Sequence, residues 1–220
     1  MKILVLLFAA LLVAGCGEKS SSEGSDSTGE SAEASPEAAQ QSEEPLTLPL
    51  SDADVERLLK EAVELEQRGR LVYKNNEPYS GWVKMMYDSG QVFRLVKVKD
   101  GKRNGPIVEW HENGQKQMEG NYKHNNPDGF GVRWHENGQK KFEGTFKDGK
   151  QYGLHVGWHE NGQKHYEGNW EDGKQDGLFV AWHENGQKHY EGNWKNDIRG
   201  SEKYWNSKGE EVETWEEADK

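Results

Sequence analysis

The chain has 220 residues, a formal net charge of −11 and 32% hydrophobic residues, too little apolar material for a large buried core. Its apolar content is rich in rings, with nine Trp, eight Tyr and six Phe, and 26 Gly punctuate it, a mixture that favours short strands and turns over helices. Residues 17–50 hold eight acids and one base, while Gly81 to Gly209 holds twenty bases and eighteen acids, so neither part offers the basic surface that nucleic acid requires. A lone cysteine, Cys16, excludes an intrachain disulfide framework or a Cys-based zinc site.

Met1 and Lys2 precede a wholly apolar run from Ile3 to Val13, followed by Ala14, Gly15 and Cys16. The run is shorter than the ~20 residues that cross a bilayer, and its flanks read as a secretory signal peptide over residues 1–15. Leu12 to Cys16 resembles the bacterial lipobox, which implies lipidation of Cys16 and a membrane anchor. Gly17 follows the cysteine, and in a Gram-negative cell this implies the outer membrane, with the folded part facing the periplasm or the exterior. Residues 16–50 are Ser, Glu, Ala and Gly with scattered Pro, a composition too polar to fold and expected to act as a disordered tether.

Ser51 with Asp54 three residues on has the pattern of a capping box, and Leu50 is placed to staple against Val55. Val55, Leu58, Leu59, Ala62 and Leu65 recur at helical spacing before Gly69, which predicts an amphipathic helix over 51–69 that caps a repeat array, with a partner-binding helix as the alternative. From Trp110 onward the string WHENGQK or a close relative begins at Trp110, Trp134, Trp158 and Trp182, 24 residues apart. Weaker copies flank these, giving six units, the last truncated, within a repeat domain over 70–215; residues 216–220 form an acidic tail. The Asn-Gly pairs predict hairpins. The expected fold is mostly β, an elongated single antiparallel meander of tandem hairpins with a short helix before it.

Side-chain parity gives a register. Leu178, Val180, Trp182, Tyr190 and Trp194 are all even, and placing both strands' apolar residues on one face requires a three-residue turn, Glu184-Asn185-Gly186. Trp182 then opposes Lys188, Val180 opposes Tyr190 and Leu178 opposes Gly192. Carried through the repeat, this puts Trp110, Trp134, Trp158, Trp182, Tyr166, Tyr190, Trp170 and Trp194 on one aromatic face. His135, His159, His183, His165, His189, Glu167 and Glu191 then fall on the opposite face, as a candidate binding surface.

The aromatic-x-x-Asn-Gly turn, the Glu-Gly-Asn-aromatic strand and the Asp-Gly-Lys connection resemble the MORN repeat, and more closely its bacterial variant found in YwqK-type antitoxins of toxin–antitoxin systems. The resemblance covers Leu71 to Trp215 and is strongest from Gly105 to Trp194. It implies a single sheet used as a protein-binding scaffold, with antitoxin activity as a family property. The lipid anchor departs from a plain cytoplasmic antitoxin.

Reactive chemistry is not expected. His111, His135, His159 and His183 lie two strands apart, about 9–10 Å, whereas the ligands of one zinc each lie about 2 Å from it. Glu112, Glu136, Glu160 and Glu184 sit at turns with the same spacing, and Gly129-Phe130-Gly131 has no following helix to make an anion site. No enzyme, cofactor or metal is expected. If the sheet curls on itself the aromatic face is core; if part stays open it can bind a protein or stack on sugars. The leading reading is a membrane-anchored protein-binding scaffold, antitoxin- or immunity-like, whose partner is an envelope or secreted protein, a toxin if the family property applies. The alternative is a module binding cell-wall glycan.

Overall fold

The computed structural model describes residues 48–65, 67–68 and 71–219. The signal-peptide segment, Cys16 and the linker as far as residue 47 lie outside the described residues. The fold is mostly β, as expected, and one meander sheet of 14 strands carries it.

Ser51 caps the first helix as its sequence predicts, with its Oγ accepting from the Asp54 N–H at 3.1 Å. The helix spans Asp52–Glu61, eight residues short of Gly69. After Ala62 the chain pairs instead, and Leu65 packs on the Val72 cluster and not with the helix: Val63–Glu64 lies parallel to Gly81–Met86, and Gln67–Arg68 begins a small sheet with Leu71–Lys74 and Glu77–Pro78. Two domain limits therefore move. Leu50 is buried in the core and not part of a disordered tether. At the other end, a short helix Trp215–Ala218 buries Ala218 where an acidic tail is expected.

Each repeat folds into one hairpin. In the Trp182 unit the strands Lys174–Trp182 and Lys188–Lys195 are joined by the three-residue turn expected, with the His183 N–H donating to the Gln187 carbonyl and Gly186 at φ +83°. Trp182 pairs with Lys188 as parity requires, but the next rung pairs Ala181 with Tyr190. His189 is thus an extra, bulged residue, and the equivalent bulge recurs beside Trp110, Trp134 and Trp158.

A single bulged residue reverses parity for the rest of the strand, so the single aromatic face is corrected to two. Val180 opposes Glu191 and Leu178 opposes Asn193, not Tyr190 and Gly192. One side, the ring face, carries Phe142, Phe146, His155, Tyr166, Trp170, Phe179, Tyr190 and Tyr204 in a continuous ladder with centroids 5.0–6.4 Å apart. Trp194 continues this side. The other, the valine face, carries Val132, Val156 and Val180 with Trp110, Trp134, Trp158 and Trp182. Phe179 lies across Gly168 and Gly192, and His155 across Gly144 and Gly168, so these three glycines leave room for a ring.

The pairing path runs in one line from Val63–Glu64 to Glu211–Val212, and these ends are not neighbours. Among the described residues the pairing path does not close on itself, and the faces are covered locally. At the first units both sides are closed: the helix packs Val55, Leu58 and Ala62 on Trp82, Leu95 and Val108, while Val72 of the small sheet packs on Val83, Val96 and Ile107 from the other side. The terminal helix sets Ala218 against Ala181, Tyr190 and Tyr204 on the ring face.

Candidate functional site

The repeated turn residues are largely consumed by the fold. The Nε2 atoms of His111, His135, His159 and His183 lie 3.1, 2.9, 2.9 and 3.0 Å from the carbonyl oxygens of Trp134, Trp158, Trp182 and Trp205. A carbonyl only accepts, so Nε2 carries the proton and each imidazole ties its turn to the next hairpin. Asn113, Asn137, Asn161 and Asn185 do the same, donating through Nδ2 to the carbonyls of Glu136, Glu160, Glu184 and Ser207 at 2.7, 2.7, 2.6 and 2.7 Å. Their Oδ1 atoms accept from the N–H two residues on. The HENGQ turn is a stacking device running along one edge of the sheet.

The candidate binding residues do not share a surface. His165 and His189 pack at a tilt on His159 and His183, with centroids 4.3 Å apart, and lean towards the ring face, where His165 meets Tyr166 at 5.5 Å and His189 meets Trp215 at 4.4 Å. Desolvation, then the charge of the histidine alongside, pushes both below the usual imidazole range. Glu167 and Glu191 instead lie on the valine face, where Lys164 and Lys188 reach them at 2.6 Å. Among the described residues, no group of three or more His, Cys, Asp or Glu is placed to hold a metal ion.

The valine face is the less obvious surface and the more informative one. Trp82, Pro106, Phe130, Leu154 and Leu178 stand in one column at the repeat spacing. Trp82 is buried beneath the first helix, whereas Phe130, Leu154 and Leu178 are 46, 54 and 45% exposed. Beside them, the Lys140–Glu143, Lys164–Glu167 and Lys188–Glu191 pairs close at 2.8, 2.6 and 2.6 Å. Each of these lysines also lies over the next indole, at 5.5, 5.5 and 4.8 Å from the rings of Trp158, Trp182 and Trp205. Parity without the bulge assigns these glutamates to the wrong side; the recurrence of Lys-x-x-Glu every 24 residues is the sequence signal that could have found them.

Three stretches of the chain, residues 103–124, 131–148 and 175–196, match the family model described as the MORN repeat variant. Each falls on one of the hairpins described above, and Lys150–Glu171 repeats their geometry between the second and third. No curated protein matches the chain. A MORN repeat variant is therefore present at three repeats of this sheet.

Proposed function

We propose that this chain is a non-catalytic scaffold that holds a partner protein on its repeat sheet, displayed from a membrane by a lipid on Cys16. MORN repeats are generally protein- or membrane-binding. The observation that carries the reading is the exposed column Phe130, Leu154 and Leu178, which continues a face already closed at one end by a helix. These side chains recur once per hairpin, with Thr145 and Asn169 on the strands between them, and a row of exposed apolar groups flanked by charge suits docking. Turn carboxylates such as Glu160, spread along an edge, offer no converging acid and base for catalysis. The partner class is an envelope or secreted protein, with a toxin the case that the resemblance to YwqK-type antitoxins implies.

The glycan reading depends on ring faces open to sugars. On the valine face the ammonium groups of Lys140, Lys164 and Lys188 lie over those rings, which favours protein as the ligand. The test is crosslinking in cells that express the full chain or a deletion of Gly153–Asp176, one repeat length. A partner band that fades in the deletion supports the scaffold; no band, with retention of the chain on purified cell wall, replaces it by the glycan module. Cys16→Ser tests the anchor separately: it is expected to move the protein out of the membrane fraction, and a variant still acylated and membrane-bound rejects lipidation at Cys16.

A further inference from the structure

The first copy of the Lys–Glu pair is already occupied. Glu119, buried on the valine face, accepts the main-chain N–H of Leu50 through Oε1. Lys116 holds Glu119 Oε2 at 3.2 Å and lies 3.4 Å from the Leu50 carbonyl oxygen. One repeat pair thus grips the N–H and the C=O of a single residue, whose leucine side chain joins Val55, Leu58 and Val108 in the core. From that grip the chain enters the capped helix that covers Trp82.

The same parts recur along the face without this cover. Glu143 stands between Val132 and Val156, and Glu167 between Val156 and Val180, as Glu119 stands between Val108 and Val132. The column of Trp82 continues as the exposed Phe130, Leu154 and Leu178. Exposed ion pairs of this kind contribute little to stability, about 0–1 kcal/mol, so their use is better read from the copy that is engaged. There the ammonium and carboxylate are a donor and an acceptor set for one peptide unit, and charge-assisted bonds of this type are the stronger ones.

We infer that the valine face from Phe130 to Glu191 is a docking surface for a segment of a partner protein with the chemistry of residues 48–62: an extended leucine, its N–H and C=O both free, leading into an amphipathic helix. The Lys–Glu pairs at Glu143, Glu167 and Glu191 clamp the leucine's main chain, and the Phe130, Leu154 and Leu178 column takes the helix. This deepens the scaffold reading and rests on it.

The probe is a fluorescent synthetic peptide of residues 48–62, titrated by anisotropy into the full chain. The key variant is Glu143→Leu/Glu167→Leu/Glu191→Leu, because Leu95 occupies the equivalent place in the first unit and shows that the sheet accepts leucine there. A clamp predicts binding at least about tenfold weaker in the variant, whereas docking driven by apolar area alone predicts tightening. A peptide N-methylated at the Leu50 amide leaves the protein untouched and must lose affinity similarly. Unchanged or tighter binding in the triple variant overturns the inference, the peptide then displacing the chain's own segment at Glu119 or adhering through area. Sedimentation of the full chain covers the remaining occupant: self-association lost in the triple variant gives the face to a second copy and also overturns it. A cellular partner that crosslinks equally to the triple variant rejects this surface alone, while no crosslinked partner rejects the scaffold itself.

Discussion

The imidazole of His159 reaches across to the next hairpin, its Nε2 2.9 Å from the main-chain oxygen of Trp182, 23 residues along. This bond joins adjacent repeats at the edge of the sheet, where few apolar contacts help. His159→Ala leaves the Trp182 carbonyl without its donor and is expected to cost about 1–2 kcal/mol. Glu160→Ala, at a side chain 84% exposed, should stay within about 0.5 kcal/mol. Urea unfolding of both variants checks the contrast, and equal effects reject the stacking role.

Gly168 lies beneath the ring of Phe179. A Cβ there would meet Phe179 at 2.6 Å and the Trp170 ring at 3.1 Å. Gly168→Ala should therefore destabilise through overpacking, by roughly 1–3 kcal/mol. Phe179→Leu in the same chain relieves the clash, so the double variant should lose less than the two single losses added together. Strict additivity in the double-mutant cycle would show that the ring does not sit where this packing requires.

Much of this architecture is legible before any coordinates, and the reason for each failure is physical. The 24-residue period, the Ser51 cap, the Glu184-Asn185-Gly186 turn and the Trp182–Lys188 rung follow from turn chemistry and local pattern. The faces do not follow, because one bulged residue per hairpin, His189 or His165, inverts every later side chain, and a bulge has no strong composition signal. A second irregularity lies beside the glycine that opens each unit: Gly129, Gly153 and Gly177 have φ of +103°, +73° and +115°. Leu50 is legible as a staple for Val55, but its capture by Glu119, 69 residues away, is a tertiary contact that no local pattern encodes.

Acid should weaken the fold through buried neutral histidine. His155 is fully buried, with Nε2 2.8 Å from the Thr145 carbonyl and Nδ1 3.2 Å from Gln151 Nε2. A carbonyl partner at one nitrogen and an amide donor at the other suit the neutral ring, and burial pushes its pKa below the ordinary 6.5. Because the folded value is depressed, the unfolded chain takes up the proton first. The stability is complete above the ordinary value and is lost progressively as pH falls below it. The urea midpoint should fall between about pH 7.5 and about pH 5.5, and His155→Phe should flatten that fall. Phenylalanine is the ring that Phe179 places at the equivalent position. An unaltered pH profile in that variant would assign the acid sensitivity to His165 and His189 instead.

Removing one whole repeat tests whether the stack is as regular as its hydrogen bonds. Deleting Gly153–Asp176 joins Tyr152 to Gly177, a glycine that likewise has positive φ and opens the following unit. The 24-residue cut brings His135 to the spacing from Trp182 that it now has from Trp158, and Asn137 to the spacing from Glu184 that it now has from Glu160. Gln139, whose side chain lies against Gly162, meets Gly186 in the same way. His155 leaves with the deleted repeat, and Phe179 takes its place opposite Gly144, where the glycine leaves room for it. Both end covers are retained, since Leu50, Trp82, Tyr204 and Ala218 all lie outside the cut. The shortened chain should therefore fold, keep its far-UV spectrum per residue, and unfold in one transition at a lower urea concentration, because stability in a repeat array is close to a sum of units and their interfaces. An unfolded product, or two separate transitions, would mean that the hairpins are not interchangeable.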